Sequence, residues 1–265
     1  MSFYYWNPTF TLDSMEGNIL QDNDVHTLYV RYLDVDWTPV DSVPVPLVHF
    51  SYGTSPAGYT IIPVVSIRNR VFEKLNPASI PAFAADINTR VRYINETRHL
   101  HNKEIQFDCD WTPRTRENYF SFLREYQRES VQSISSAIRM VQLRYAGQVG
   151  TPPVDYGVPP VDYGVLFYFN LGETDAGNER SVYERAAAHH YTPFLRSYPL
   201  TLDVALPLFP TARDTHDGED LFEIITDINH HSNHRIRNLI FFDLDRENLA
   251  HYDRNVFREA LARFN

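Results

Sequence analysis

The stretch EIQFDCDW, residues 104–111, decides the fold prediction and the site prediction together. In a β-strand, this order places Gln106, Asp108 and Asp110 on one face and the apolar residues between them on the other. Strands inside α/β proteins are ordinarily apolar on both faces. A face with two acids needs water, partners or a ligand to offset the desolvation of its charges. This strand therefore predicts a functional site.

Short apolar runs like this one recur along the chain. We predict eight strands, at Phe3–Asn7, Thr27–Asp34, Thr60–Arg68, Glu104–Asp110, Arg139–Tyr145, Tyr163–Asn170, Thr201–Pro207 and Asn238–Asp243. Helical spacing predicts five helices between or after them, at Ile80–Arg98, Thr115–Gln132, Asn178–His189, Glu219–His230 and Arg254–Phe264. The two kinds of element alternate.

This alternation predicts parallel strands joined by right-handed crossovers, and eight such strands are enough to close a barrel. The predicted fold class is α/β, a single (β/α)8 TIM barrel that forms one domain over residues 1–265. We expect irregular first and second crossovers. Residues 11–26 offer only a marginal helix, and residues 38–59 are rich in Pro, Gly and Ser, which predicts a long loop.

A seven-residue sequence, PPVDYGV, occurs twice in tandem, at 152–158 and 159–165. Both copies cannot be strand. We interpret the second copy as the approach to the sixth strand and the first as a surface loop, because insertions into surface loops cost little. A functional repeat is the alternative interpretation.

The composition limits the partners. The formal charge of −10 and the pI near 5.5 argue against nucleic acid or an anionic membrane, which need a basic face, whereas neutral or cationic ligands are easier to accommodate. We expect no membrane span, since no apolar run approaches roughly 20 residues, and no signal peptide at residues 1–6. The single cysteine, Cys109, is predicted to be a small buried hydrophobe. The sequence makes no prediction of the oligomeric state.

The direction of each strand side chain follows from one criterion: the helix-facing side should be the more uniformly apolar one. On strand two, Arg31 lies on one face and Asp34 and Asp36 lie on the other, and we assign Arg31 to the inward face. The other inward residues assigned in this way are Gln106, Asp108 and Asp110 on strand four; Met140, Gln142 and Arg144 on strand five; Leu166, Tyr168 and Asn170 on strand six; Asp203, Ala205 and Pro207 on strand seven; and Phe241, Asp243 and Asp245 on strand eight. We expect Asp203 to lie deep in the barrel, bonded to a neighbouring strand.

Polar inward residues would then meet at the carboxyl ends of the strands, where active sites of this barrel lie. The predicted lining is Asp108, Asp110, Arg31, Gln142, Arg144, Tyr168, Asn170 and Asp243, with Trp6, Trp37 and Trp111 on or near the loops. Carboxylates, amides and arginines bond sugar hydroxyls, and flat aromatic rings cover the apolar faces of pyranoses. This mixture predicts a carbohydrate-binding cleft.

The two acids of strand four are the candidate catalytic residues. Asp108 and Asp110 lie roughly 6.6 Å apart at the backbone, at about 3.3 Å of rise per residue. They could divide the acid, base or nucleophile roles of glycoside hydrolysis, with Arg144 holding one of them ionised. The alternatives are ion pairs with Arg31 and Arg144 that are structural only, and a barrel that binds glycans without turnover.

No cofactor or metal site is predicted. The histidines lack an HExxH arrangement, and the chain has no G-x-S-x-G, Walker A or G-x-G-x-x-G sequence.

Four segments carry a family resemblance: FYYW at 3–6, LYVRYLDVD at 28–36, IQFDCDW at 105–111 and VDYGVL at 161–166. They resemble uncharacterised bacterial proteins, many from Bacteroidetes, described as glycoside-hydrolase-like TIM barrels and often as lipoproteins. The resemblance implies the barrel, an exported or cell-envelope location, and the Gln-x-Asp-x-Asp strand as the centre of any site. It implies no proven activity. The chain departs from the lipoprotein pattern because it has no leader or lipid-attachment cysteine near its start.

Overall fold

The computed structural model describes residues 1–38, 43–48, 50–53, 56–146, 155–169, 190–208, 218–232 and 236–264. Its strands, in chain order, are β1 (Ser2–Tyr5), β2 (Thr9–Phe10), β3 (Thr27–Thr38), β4 (Val43–Val48), β5 (Ser51–Tyr52), β6 (Thr60–Ile67), β7 (Glu104–Asp108), β8 (Ser133–Arg139), β9 (Tyr163–Phe167), β10 (Leu202–Pro207) and β11 (Ile236–Phe242). Strands β3 and β6–β11 form a run of parallel neighbours, and β1 pairs in parallel with both β11 and β3. The ring of eight strands is closed, and the predicted TIM barrel is confirmed.

The helices are α1 (Ser14–Asp22), α2 (Asn69–Lys74), α3 (Ile80–Arg98), α4 (Arg116–Glu129), α5 (Met140–Arg144), α6 (Glu219–His231), α7 (Arg246–Leu249) and α8 (Val256–Arg263). Four of these correspond to predicted helices, namely α3, α4, α6 and α8. The fifth predicted helix, at 178–189, lies outside the described residues. Among the helices that are described, none combines the length and the hydrophobicity that a bilayer crossing requires.

Helix α4 shows how the outer layer is held to the barrel. Its apolar residues recur at helical spacing and are buried, among them Phe122 and Tyr126. The Phe107 ring of β7 lies 5.1 Å from the Phe122 ring and 4.7 Å from the Tyr126 ring, both edge-on. Because Phe107 points at the helix, its neighbours Gln106 and Asp108 point into the barrel.

The first two crossovers are irregular, as expected, but each has more regular structure than the sequence predicts. Residues 14–22 form α1, whose start is fixed by a capping box in which Asp13 and Glu16 each accept a backbone N–H of the other. The prediction of a long loop over 38–59 is wrong for 43–48 and 51–52. β4 pairs antiparallel with the extension of β3, and β5 pairs with β2. The prolines of β4 are tolerated because it is an edge strand.

The predicted fifth strand is also wrong. The fifth strand of the barrel is β8, residues 133–139, which ends where the predicted strand would begin. Residues 140–144 form the single turn of α5. In RMVQLR at 139–144, Val141 and Leu143 have the alternate spacing of a strand, yet the Gln142 side chain accepts the Arg139 N–H at 2.7 Å and so caps a helical turn. Arg139 thereby becomes the last residue of a strand instead of the first.

Two strands are phased opposite to the prediction. Val165 and Phe167 of β9, and Ile240 and Phe242 of β11, belong to or pack on the cluster inside the barrel, so Leu166, Tyr168 and Phe241 face the helices. The criterion fails here because aromatic and aliphatic side chains fill the interior, and both faces of these strands are apolar. The inward assignments on strands four and seven are correct for Asp108 and Ala205.

The amino-terminal end of the barrel is closed by a polar network around Asp203. This carboxylate is 1% exposed, lies 3.3 Å from the Arg237 guanidinium on the neighbouring strand β11, and accepts the Tyr29 hydroxyl at 3.3 Å. The prediction that Asp203 lies deep is confirmed. Burial raises the pKa of Asp203 to about 6, against the lowering effect of Arg237. Active sites of this fold lie at the opposite, carboxyl end of the barrel.

The tandem heptapeptide has two different structural roles. The second copy leads into β9 at Tyr163, as predicted. In the described part of the first copy, Asp155 accepts a hydrogen bond from Arg116 at 2.7 Å, and the Tyr156 carbonyl accepts the Trp111 indole N–H at 3.0 Å. These residues of the first copy are therefore anchored against the start of α4.

Candidate functional site at the carboxyl mouth of the barrel

The acidic face of β7 points into the barrel. The Tyr4 hydroxyl, inside the barrel on β1, donates to Gln106 Oε1 at 2.6 Å. Two residues further along the same face, Asp108 is 8% exposed and lies at the carboxyl end of the strand. Cys109 is buried on the other face, as predicted, and burial raises the pKa of its thiol. The predicted orientation of this strand is confirmed.

Arg139 binds both acids. Its Nη2 donates to Asp108 Oδ1 at 2.8 Å, and its Nε donates to Asp110 Oδ1 at 2.6 Å. The side chains of Asp108 and Arg139 are 10% and 16% exposed, whereas that of Asp110 is 67% exposed. We call these three residues the Arg139 cluster. It spans from the barrel interior, at Asp108, to solvent, at Asp110.

Burial and charge act in opposite directions within the Arg139 cluster. Burial raises the pKa of the Asp108 carboxyl, the Arg139 charge lowers it, and the Asp110 carboxylate raises it again, so the net shift is upward. Burial alone would lower the pKa of Arg139, but the two carboxylates outweigh it and raise that pKa. The guanidinium is thus always charged.

Two donors beside Asp108 have no hydrogen-bond partner among the described residues. They are Gln106 Nε2 and Arg139 Nη1, and both atoms are buried. Buried polar groups are nearly always bonded, so each such donor marks a place for a water or for an acceptor oxygen of a ligand. The described residues therefore leave two buried hydrogen-bond donors near Asp108 without an acceptor.

An aromatic layer covers the barrel interior next to the Arg139 cluster. We call it the aromatic floor; its rings are Tyr4, Trp6, Phe167, Phe169 and Phe242, with centroid separations of 5.2–6.2 Å between contacting pairs. Trp6 and Phe242 are half-buried and the others are buried. The Arg139 guanidinium lies 4.4 Å from the Phe167 ring centroid. Charge and flat apolar surface thus adjoin each other at the mouth.

A bulge in β3 adds a second ion pair at the same level. The register between β3 and β6 shifts between Arg31 and Leu33, so Arg31 and Asp34 share the inward side and bind each other. Asp34 is in register with Ser66 of β6, and Ser66 is in register with Asp108 of β7. The Arg31–Asp34 ion pair therefore lies two strands away from Asp108 at the same height in the barrel. Arg31 also lies over the Trp6 ring, 4.8 Å from its centroid. The inward assignment of Arg31 is correct, and the assignment of Asp34 to the opposite face is wrong.

Three predicted lining residues do not face the mouth. Tyr168 points to the helix layer, where its hydroxyl bonds that of Thr192. Trp111 is 1% exposed and stacks on Tyr119, so its faces are not open to a sugar. Gln142 is buried on α5, where its amide donates to the Trp111 carbonyl at 3.0 Å. These residues support the mouth from outside.

The remaining predicted residues are more dispersed. Arg144 ends α5 and lies 5.1–5.9 Å from the rings of Tyr145, Tyr191 and Phe194, so Arg139 has the position expected of Arg144. Asp243 directly follows β11 and accepts the Asn248 amide at 2.6 Å. Asn170 lies outside the described residues.

Arg139 is the main residue that the sequence prediction missed. The stretch SISSAIR at 133–139 begins with serines and resembles a loop, while the more apolar MVQLR follows it. One signal was present: Ile134 and Ile138 are four residues apart and frame an alternation in which Ser135, Ala137 and Arg139 share a face.

Four carboxylates, those of Asp13, Glu16, Asp243 and Asp245, lie near one another beyond the ends of β1 and β11. Trp6 directly follows β1, and Phe242 is the last residue of β11. Glu16 is 4% exposed, and its Oε2 accepts the Asp13 N–H at 2.8 Å. The carboxylates of Asp13, Asp243 and Asp245 are close enough to affect the pKa of Glu16. Burial, followed by the Asp13, Asp245 and Asp243 carboxylates, raises the pKa of Glu16 to about 7, although the bond from the Asp13 backbone lowers it.

We expect Glu16→Gln to stabilise the protein above about pH 7. A raised carboxyl pKa means that the proton is bound more tightly in the folded state, so the stabilisation from Glu16 is complete at acid pH and is lost as the pH rises through about 7. Glutamine keeps the acceptor and carries no charge. The gain should be about 1 kcal/mol at pH 8, allowing for solvent screening, and should vanish below about pH 4.5. Urea unfolding across this range measures it; a pH-independent difference would contradict the assignment.

Comparison with solved structures supports the fold. The Bacillus megaterium QM B1551 spore cortex-lytic enzyme SleL is 11% identical, with a TM-score of 0.61 over 100% of this chain and 73% of that one. The GH18 chitinase ChiB of Flavobacterium johnsoniae is 10% identical, with a TM-score of 0.59 over 99% and 93%. The chitinase-like agglutinin of Robinia pseudoacacia is 10% identical, with a TM-score of 0.55 over 100% and 99%.

No protein-family model matches the chain, and no curated protein sequence matches it. At identities of 10–11%, the structural similarity shows the TIM-barrel fold and leaves the chemistry to be argued from the site.

Proposed function

We propose that this protein binds a carbohydrate at the carboxyl mouth of its barrel and does not hydrolyse it. The half-buried rings of Trp6 and Phe242 would cover the apolar face of a sugar ring, while Asp110 and the Arg31–Asp34 pair would bond its hydroxyls. Sugar sites combine flat rings with a few polar groups in this way. The similar solved structures include hydrolases and an agglutinin, so the fold is compatible with either activity.

The observation that carries the proposal is the sharing of Arg139 by both acids. A general acid must hold a transferable proton, and a base or nucleophile must have a free carboxylate. Arg139 binds one oxygen of each aspartate with charge-assisted bonds, and Asp108 is almost fully buried. The next residue on the same side of this segment, two positions after Asp110, is Thr112, and α4 begins shortly after it. This segment therefore supplies no third acid.

Hydrolysis is the second candidate, and one observation favours it. Asp108 has a raised pKa and lies next to the exposed carboxylate of Asp110. Glycosidases use two carboxyl groups whose environments separate their pKa values, and substrate-assisted enzymes need only one acid from the protein. In this case Asp108 would have to hold its proton beside the Arg139 charge, while Asp110 acted through the oxygen that Arg139 does not bind.

A glycan panel distinguishes these functions. We expect purified protein to bind at least one oligosaccharide by calorimetry and to release no reducing sugar from any of them, and Asp108→Asn to stay folded and still bind. Reducing-sugar release that disappears in folded Asp108→Asn or Asp110→Asn would establish hydrolysis instead. A protein that neither binds nor cleaves any glycan on a broad panel would refute both candidates.

Two predictions from the sequence belong to this proposal. An exported or cell-envelope location, implied by the family resemblance, would bring the mouth into contact with glycans. Residues 1–265 would serve the site as one domain. Fractionation of cells that express the natural gene tests the first, and limited proteolysis that yields no stable fragment supports the second.

A further inference from the structure

We infer that the mouth prefers a carbohydrate that bears a protonated amine over its N-acylated and uronic acid counterparts. This inference rests on the proposed carbohydrate binding and specifies the charge of the ligand.

The Arg139 cluster contains more carboxylates than cations. The described ion pairs there are Arg31 with Asp34, Arg70 with Asp36, and Arg139 with both Asp108 and Asp110. Arg139 serves two carboxylates, so the Arg139 cluster has one negative charge in excess. The excess falls to the solvent side, because the side chain of Asp110 is 67% exposed and that of Asp108 only 10%.

Asp110 can accept a ligand without losing Arg139. Its Oδ1 binds Arg139 Nε at 2.6 Å, and its second oxygen makes no hydrogen bond to the described residues. An ammonium group carries donors only, and its bond to a carboxylate is charge-assisted. Because Asp110 is exposed, an ammonium group can reach it while both groups keep part of their hydration. The carboxylate of a uronic acid would instead meet a like charge.

The other charged groups near the Arg139 cluster do not reverse this preference. Arg68 is exposed beyond β6, and its charge lowers the pKa of Asp108 less than the Arg139 charge does. On the other side of the mouth, Asp243 and Asp245 follow β11. The chain carries a formal charge of −10, so its long-range field also attracts cations and repels anions.

A sugar fits the cluster better than a simple amine does. Gln106 is fully buried on the same strand face, and its Nε2 has no partner in the described part of the chain. This donor needs an acceptor oxygen, which a water that bridges to a sugar hydroxyl can supply. The adjacent Trp6 and Phe242 rings offer a flat apolar surface. A ligand with an amine, hydroxyls and an apolar ring face satisfies all three.

The test compares three probes of equal length: glucosamine oligomers, N-acetylglucosamine oligomers and oligogalacturonate, at about pH 6 and low salt. We expect the amine form to bind about threefold to fivefold more tightly than the N-acetylated form, since one added charge pair at an exposed site is worth up to about 1 kcal/mol. Oligogalacturonate should bind most weakly. Added salt should reduce the amine's advantage.

Asp110→Asn isolates the charge, because it preserves shape and removes the excess carboxylate. We expect it to abolish the preference for the amine form, because it should weaken binding of the amine oligomer by more than it weakens binding of the N-acetylated oligomer. The matched control is Asp86→Asn, which removes an aspartate paired with Arg90 on α3, where it is 46% exposed; it should keep the preference.

Equal affinity for the amine and N-acetylated oligomers, or tighter binding of oligogalacturonate, would overturn the inference and leave carbohydrate binding intact. An amine preference that persists in Asp110→Asn would overturn the assignment to this carboxylate. If none of the three probes binds and the wider glycan panel is also negative, carbohydrate binding and the inference fail together.

Discussion

Arg139→Met is expected to destabilise the protein by about 3 to 5 kcal/mol at neutral pH, the range measured when one partner of a buried ion pair is removed. The Asp108 carboxylate is 10% exposed and would lose its only cation within hydrogen-bond reach among the described residues. Methionine has a similar length and no charge. The decrease in the free energy of unfolding should therefore come mainly from the uncompensated Asp108 carboxylate and less from a cavity. Urea unfolding measures the difference.

The pH dependence of Arg139→Met identifies the charge responsible. Burial already raises the pKa of Asp108, and removal of the opposing Arg139 charge should raise it further. A carboxyl whose folded-state pKa is raised destabilises the protein when ionised, so the deficit should be large at pH 7 and shrink as the pH falls through the raised pKa towards about 3.9.

Two further variants complete this experiment. Arg90→Met breaks an exposed pair with Asp86 and should cost less than about 1 kcal/mol. Adding Asp108→Asn to Arg139→Met removes the stranded charge and should restore most of the stability, because neutral replacement of both partners of a buried pair is often tolerated. A cost for Arg139→Met no greater than that of the Arg90 control would show that Asp108 is not held as a buried charge.

The acidic strand could be predicted because its two faces differ. In β7, polar residues alternate with apolar ones, and only one phase puts Phe107 against α4 and Asp108 inside the barrel. The inner faces of β9 and β11 could not be predicted by the same criterion. Phe167 and Phe242 fill the barrel interior, while Leu166 and Phe241 pack on the helix side, and hydrophobicity does not distinguish the two. Which face turns inward depends there on the neighbouring strands.

The partners of the acids escaped prediction for local reasons. Arg139 lies where a strand ends and a helical turn begins, and the short apolar pattern of residues 139–144 is compatible with either structure. Asp34 reaches the side of Arg31 through a bulge, and one extra residue inverts every later side chain of a strand. The sequence therefore indicated a charged barrel mouth and assigned one of its cations to the wrong position, Arg144.

Trp6→Ala is expected to weaken carbohydrate binding about thirtyfold. Trp6 lies at the edge of the aromatic floor, 5.3 Å from the Phe242 ring and under the Arg31 guanidinium at 4.8 Å. It is the half-buried ring with the largest flat face at the mouth among the described residues. Truncation of a central aromatic contact typically costs about 2 kcal/mol of binding free energy, which is about thirtyfold in affinity. Calorimetry with whichever glycan binds the natural protein measures the loss.

The conservative variant separates the loss of the ring from a change in fold. Trp6→Phe keeps an aromatic face against Phe242 and should bind within a few-fold of the natural protein, although it loses part of the contact with Arg31. Tyr93→Ala is the matched control, since Tyr93 is an aromatic residue that is 67% exposed on α3, away from the mouth. If Trp6→Ala and Tyr93→Ala bind equally well while both remain folded, the sugar does not lie on the aromatic floor, and the acids of the mouth would have to hold it without an apolar surface beneath.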